Sequence, residues 1–274
     1  MEKIYETLRL EVQDGVAHLR LNNPGKANAM TRAFWGEMRT VMAELDRHEA
    51  VRVIILSGEG KNFSAGLDLA MFADTQSQMN GKFDPARARE NFRTTVLEMQ
   101  ESFTAIERCR KPVLAAMHGA CIGGAIDMAS ACDMRYCSED AYFSVKEIDL
   151  AIVADVGTLQ RLPKIIPEGI ARELAYTGRN VSGREAEQIH LVNRCYPSYA
   201  EMMAEVGKIA ALIAEKSPIA MRGTKEILNY SRDHSVAEGL NYVATWNAAM
   251  IYSHDLLEVM QAGMEKRKPV FKNN

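Results

Sequence analysis

Two short runs near the start of the chain alternate between apolar and polar residues. Leu8-Arg9-Leu10-Glu11-Val12 and Val16-Ala17-His18-Leu19-Arg20-Leu21 flank Asp14-Gly15. Period-two alternation across an Asp-Gly pair predicts a β-hairpin with a tight turn. Asn22 to Lys26 follows as a loop. From Thr31, an expected N-cap, the pattern changes to helical spacing, with Phe34, Met38, Val41, Met42 and Leu45 on one face. Val51 to Leu56 is a continuous apolar run that predicts a buried strand. A loop with glycine and serine spans Gly60 to Gly66, and a short helix is expected from Leu67. Residues 76–85 are polar and expected to be mobile.

The second half of the front region repeats this alternation of element types. A helix is expected over 86–110, stopped by Pro112. Val113 to Met117 reads as a short buried strand, 119–124 as a tight loop and 125–130 as a short helix. Met134 to Cys137 and Ala141 to Ser144 read as further strands. From Thr158 the pattern is almost wholly helical, broken at Pro163, Pro167, Gly178, Gly183, Pro197 and Pro218, with only Val192 to Tyr196 strand-like. Strands alternating with helices predict an α/β protein with a mostly parallel sheet assembly. Residues 1–197 are expected to form this core, and 198–274 a helical region.

Composition narrows the class. The chain has 274 residues, 47% hydrophobic and 25% charged, a balance that excludes bulk disorder and coiled coil. A net charge of -3 disfavours nucleic-acid binding. No apolar stretch approaches the ~20 residues that span a bilayer. The acidic opening, MEKIYETLRLEVQDG, has neither a secretory nor a transit-peptide pattern, so a cytoplasmic protein without membrane association is expected. Five cysteines, Cys109, Cys121, Cys132, Cys137 and Cys195, lie scattered in apolar context, and buried reduced thiols explain them better than a zinc site. No metal is expected. There is no G-x-G-x-x-G or Walker A pattern, and Ser64 lacks the G-x-S-x-G setting of an activated serine. His118 is expected to be structural.

Two features carry candidate chemistry. Phe63-Ser64-Ala65-Gly66-Leu67-Asp68 and His118-Gly119-Ala120-Cys121-Ile122-Gly123-Gly124-Ala125-Ile126-Asp127 each follow a strand and open a short helix. Unpaired amides at two converging helix starts would stabilise a carbonyl oxygen that becomes negative. Ordinary tight turns would also explain these glycines. The second feature is a set of carboxylates in apolar runs: Asp127, Glu147 and Asp155. Desolvation and mutual repulsion favour the acid form and suit a carboxyl group to proton transfer near neutral pH. Structural roles stand beside that reading. Asp155 could cap the segment from Thr158, and Glu147 could pair with Lys146 or Arg161.

Taken in order, these segments resemble the enoyl-CoA hydratase/isomerase (crotonase) superfamily. The resemblance rests on Asn22-Asn23-Pro24 with Lys26 and Asn28-Ala29-Met30, on Phe63 to Leu69, on Lys111-Pro112-Val113 to Gly124, and on Gly157-Thr158-Leu159-Gln160-Arg161-Leu162-Pro163. Within it, the segment from Cys121 through Glu147 and Asp149 to Gly157 looks like the Δ3,5-Δ2,4-dienoyl-CoA isomerases. The resemblance implies a spiral of β-β-α units with C-terminal helices for assembly and active-site closure, a homotrimer or homohexamer, and an acyl-CoA thioester substrate in fatty-acid β-oxidation. It implies no cofactor, CoA being part of the substrate. It places an oxyanion hole on the Leu67 and Gly124 amides, and substrate contacts on Lys26, Ala65, Gly66, Leu67, Asp68, Leu69 and Gly124. The catalytic set it implies is Asp127, Glu147 and Asp155, with Glu147 serving C2, Asp155 serving C6 and Asp127 polarising or positioning. The cluster Lys266-Arg267-Lys268 with Phe271 resembles the family's C-terminal contribution to the nucleotide part. Hydration of a 2-enoyl-CoA or another crotonase-type acyl-CoA reaction, and a catalytically silent acyl-CoA-binding role, remain the alternatives.

Overall fold

In the computed structural model, residues 1–71 and 84–272 are described. The expected mobile stretch, 76–85, lies outside them except for its last two residues; of the short helix expected from Leu67, Ala70 and Met71 are helical and any further residues fall outside the described ones. Among the described residues ten strands form two sheets. The larger runs in the order β1 (Glu2–Ile4), β2 (Leu8–Gln13), β3 (Val16–Leu21), β4 (Val53–Gly58), β5 (Val113–Met117), β7 (Met134–Ser138), β10 (Arg194–Tyr196). The smaller joins β6 (Ala120–Ile122), β8 (Tyr142–Ser144) and β9 (Val181–Ser182).

The hairpin forms with Gln13 opposite Val16, and Asp14 and Gly15 both take positive φ, +49° and +81°. That is the left-handed pair a two-residue hairpin needs, and it is why Asp-Gly stands there. β3, β4, β5, β7 and β10 then pair in parallel. The β-β-α repeat is plain in the middle of the chain. β5 leads to β6 and then to helix α3 (Gly124–Ser130); β7 leads to β8. First strands pair with first strands, β5 with β7, and second strands with second, β6 with β8. A single bridge, Ser64 to Cys121, extends the small sheet back to the previous turn of the spiral.

One core lies between the sheets and helices α1 (Arg32–Arg47) and α2 (Pro85–Arg108). A second lies behind the large sheet, where Met202, Val206 and Ala210 of α7 (Tyr199–Ala214) pack on Val53, Ile55, Leu114 and Ala116. The boundary expected after residue 197 thus falls just before a helix that packs directly on the sheet. Beyond it run α8 (Pro218–Arg232), α9 (Val236–Met250) and α10 (His254–Glu265). Helices α4 (Thr158–Arg161), α5 (Glu168–Thr177) and α6 (Gly183–Gln188) precede β10.

Several local expectations shift. The 119–124 loop contains a strand, β6. Thr31 takes the N-cap position of α1 but its hydroxyl makes no capping bond. β1 and β9 are three and two residues long, too short for a period to show. All five cysteines are buried and free.

The loops that carry the candidate site are tied by Asn28, which is buried and left-handed at φ +54°. Its amide nitrogen faces the carbonyls of Glu59, Asn62 and Phe63 at 2.8–3.1 Å, and its Oδ1 accepts from the Asn23 amide at 2.8 Å. A side chain that can both donate and accept fixes two loops at once. Asn28→Ala leaves these groups without their partner and is expected to cost about 1–3 kcal/mol of stability, measured by urea unfolding.

Candidate active site

From Phe63 to Asp68 every amide but one is bonded. Phe63 donates to His118 O, Ser64 to Ala120 O, Ala65 to Ala27 O and Asp68 to Met30 O, at 2.7–3.1 Å, while Gly66 donates to Ser64 Oγ at 3.1 Å. The Leu67 amide has no acceptor among the described residues. In the second loop Gly123 donates to Ser144 O at 2.9 Å, and Gly124 opens α3, where an amide has no intrahelical partner. The two free amides stand together. A Cβ built on Gly124 would lie 3.9 Å from the Leu67 nitrogen, and one built on Gly66 would lie 3.2 Å from the Gly124 nitrogen. Glycine at 66 is demanded twice over: φ is +84°, and a Cβ would stand 2.5 Å from Ile122 O.

These amides border a cavity of about 480 Å³. Lys26, Ala65, Leu67, Asp68, Leu69, Gly124, Glu147 and Asp155 all line it. Gly66 and Asp127 do not. Gly66 lies behind, with its carbonyl accepting from Met30 N at 2.8 Å. Lys26 and Asp68 pair at 3.1 Å on the cavity rim. Apart from Lys146, the remaining wall is apolar and comes largely from residues with no sequence signal of function: Trp35 on α1, Met99 on α2, and Leu150, Ile152 and Val156. Trp35 falls beside the helical stripe that ends at Leu45 and reads as core.

Glu147 sits in a 3-10 turn, Lys146–Leu150, with Oε1 3.2 Å from the place a Cβ on Gly123 would occupy. Its carboxylate therefore stands beside the free amides. Neither expected cation neutralises it: Lys146 pairs with Asp149, and Arg161 with Glu107 at 2.8 Å. Burial and the nearby Asp127 push the Glu147 pKa up to about 7, and Oε2 has no hydrogen-bond partner. Asp155 lies on an irregular strap between that turn and α4, exposed to the cavity mouth, and partial desolvation raises its pKa too.

Asp127 is fully buried on α3, and its Oδ1 accepts the Thr158 amide at 2.5 Å. The cap of the Thr158 turn is thus Asp127, and the capping role considered for Asp155 is not filled by it. Burial raises the Asp127 pKa to about 6, and Oδ2 has no partner. The basic cluster at 266–268 does not line this cavity. Arg267 pairs with Glu258 and Glu265, Lys268 faces Glu215 at 3.7 Å, and Phe271 O accepts from Arg52 at 2.7 Å. Among the described residues no three His, Cys, Asp or Glu side chains form a metal-ligating group, and no helix is long and apolar enough to cross a membrane.

Two free amides and apposed carboxylates in stacked β-β-α units define a class, and residues 11–274 match the family model for enoyl-CoA hydratase/isomerase. The chain belongs to that family. Its relatives include the Delta(3,5)-Delta(2,4)-dienoyl-CoA isomerase, peroxisomal, of Arabidopsis thaliana, 49% identical over 98% of this chain and 97% of that protein. The mitochondrial Delta(3,5)-Delta(2,4)-dienoyl-CoA isomerase of Homo sapiens is 47% identical over 96% of this chain and 81% of its own length. Among solved structures, the enoyl-CoA hydratase from Bacillus anthracis superposes with a TM-score of 0.88 at 31% identity, covering 98% of this chain and all of that one.

The raised pKa of Glu147 has a consequence for stability. A carboxyl that ionises at about 7 when folded and near 4.5 when unfolded weakens the fold as pH rises through that window. Glu147→Gln is therefore expected to melt at a higher temperature than the parent at pH 8. The gain should shrink toward pH 5, as read by thermal unfolding across pH.

Proposed function

We propose that this chain is a Δ3,5-Δ2,4-dienoyl-CoA isomerase of the enoyl-CoA hydratase/isomerase family. One observation carries the reading: Glu147 and Asp155 line the same cavity as the Leu67 and Gly124 amides, while Asp127 is turned away into a helix-capping bond. The names of the relatives support it.

The thioester oxygen of a 3,5-dienoyl-CoA accepts from the Leu67 and Gly124 amides. Glu147, carboxylate in part of the population near neutral pH, removes a C2 proton. The electron pair spreads over the diene and the thioester oxygen, whose growing charge each amide stabilises by about 3–4 kcal/mol. Protonated Asp155 gives its proton to C6, four carbons along, and the double bonds settle at C2–C3 and C4–C5. Proton exchange with water then restores both carboxyl groups. Only protons move, so no cofactor is required. Asp127 acts as a positioning group through the Thr158 amide and keeps Glu147 from ionising too readily. Lys26 on the rim, with Ala65, Asp68 and Leu69, contacts the CoA and thioester side of the substrate, and Gly66 shapes the loop behind them.

Hydration of a 2-enoyl-CoA needs two carboxylates flanking a water at C2 and C3. The resemblance to the family's hydratases implies glutamate at both the 127 and 147 positions, where this chain has Asp127 and Glu147. The shorter Asp127 does not reach the cavity here, which favours isomerisation.

The proposal extends to assembly and location. Helices α9 and α10 expose Val236, Leu240, Leu257, Met260 and Met264, each 60% or more accessible. Apolar surface of that extent supports a homotrimer or homohexamer built on the C-terminal region. A cytoplasmic location belongs to the same proposal, although the relatives carry peroxisomal and mitochondrial in their names; cell fractionation decides between them. Light scattering is expected to give three or six times the chain mass, and a stable monomer at micromolar concentration would contradict the assembly.

The reaction itself is tested with 3,5-octadienoyl-CoA and 2-octenoyl-CoA, followed by ultraviolet absorption. The parent protein is expected to convert the first to the conjugated 2,4-diene. Asp155→Asn is expected to bind the substrate and still exchange the C2 hydrogen with deuterated water through Glu147, yet form no 2,4-diene. An Asp155→Asn protein that isomerises at the parent rate, or a parent protein that only hydrates the 2-enoyl thioester, defeats the reading.

A further inference from the structure

Asp155 occupies an unusual place for a group that must meet one carbon of a flexible chain. Residues 152–156 of the strap 151–157 are in neither helix nor strand. Among the described residues the Asp155 carboxyl has no ion-pair partner, and the anchors of the strap come from elsewhere. At its start Ile152 N donates to Glu147 O at 3.2 Å. At its end Thr158 N is held by Asp127, and the Gly157 carbonyl accepts from the Gln160 and Arg161 amides. Between these ends a single long-range bond holds Asp155 itself. Gln100 Nε2 on α2 donates to the Asp155 carbonyl oxygen at 2.6 Å.

The partner helix is not an arbitrary support. Met99, next to Gln100, lines the substrate cavity, and Glu107 two turns further on receives Arg161 in a half-buried pair. Gly157 packs against that Arg161: a Cβ at 157 would lie 1.9 Å from Nη1. The strap is therefore clamped to α2 at both Asp155 and the start of α4, and the same helix supplies part of the acyl wall. Gln100 hydrogen-bonds the backbone of Asp155 and does not line the cavity.

We propose that Gln100 is a positioning residue for the C6 proton transfer: its side-chain amide fixes the Asp155 backbone and so sets the reach of the Asp155 carboxyl toward the far end of the diene. The inference rests on the reading of Asp155 as the C6 group. Glu147 is anchored separately, on the 3-10 turn beside β8. Loss of the Gln100 bond then affects one proton transfer and spares the other. That separation distinguishes positioning from general support of the fold.

Gln100→Leu keeps bulk and removes the donor. Because a displacement of about 1 Å at a reacting group costs on the order of a hundredfold in rate, kcat for conversion of 3,5- to 2,4-octadienoyl-CoA is expected to fall by roughly ten- to a hundredfold. KM, the melting temperature and C2 hydrogen–deuterium exchange are expected to match the parent. A parent-like kcat, or a loss of C2 exchange in the same proportion as isomerisation, overturns the inference. Asp155→Asn measured in parallel separates the two levels. If that variant is inactive while Gln100→Leu is fully active, only the role of Gln100 fails. If Asp155→Asn isomerises normally, the assignment of Asp155 fails and the inference with it.

Discussion

Two backbone amides left without acceptors are the constraint around which this chain is arranged. Leaving a donor unpaired inside a protein costs about as much as a lost hydrogen bond, so the surrounding structure must make the vacancy unavoidable. It does so by committing the neighbours. Every other amide from Phe63 to Asp68 is bonded, and Gly123 is bonded to the strand beside it, while Leu67 and Gly124 have no acceptor among the described residues. The close crossing of Gly66 and Ile122, where no Cβ fits, brings the two together. Asn28 and Met30 hold the first loop against the second from below. The stacking of successive β-β-α units is what carries both loops to the same height.

The carboxyl groups express the opposite economy. Glu147 and Asp127 are placed where ionisation is costly, without a cation in ion-pair contact, and each keeps one oxygen unpartnered. Such placement weakens the fold above neutral pH but leaves Glu147 able to take and return a proton in the working range. Asp127 differs in that its other oxygen is occupied by the Thr158 amide. Three acidic residues in apolar sequence therefore divide by geometry into two that face the cavity and one that supports them from behind.

Much of this was legible in the residues. The Asp-Gly turn, the stripe on α1 and the apolar runs of β4 and β5 follow from period and turn chemistry alone, and the structure contains each. Glycines at 66, 123 and 124 after buried strands admitted two readings, ordinary tight turns and backbone donors, and sequence alone does not show that the Leu67 and Gly124 amides lie together. The illegible parts have physical reasons. β1, β6 and β9 are two or three residues long and exist only through their partners. Whether Asp127 or Asp155 caps Thr158 depends on which one the spiral brings to that amide, and sequence proximity favoured the wrong one. Trp35 and Met99 have the spacing of core residues, and only the fold shows that they share the cavity with Ile152 and Val156 of the strap. The basic cluster near residue 267 carried a charge pattern but no information on direction, and its partners proved to be Glu258, Glu265 and Glu215. Gln100 gave no signal, since an amide side chain on an exposed helix has no pattern of its own.

Two carboxyl groups at different carbons make a statement that isotopes can read directly. A single turnover of 3,5-octadienoyl-CoA in deuterated water, with the product examined by NMR, locates the incoming hydrogen. The expected product is a 2,4-dienoyl thioester carrying one solvent-derived deuterium at C6, because the proton lost from C2 to Glu147 is not the one Asp155 delivers. A product in which the original C2 hydrogen reappears at C6, or one bearing a hydroxyl at C3, would contradict this.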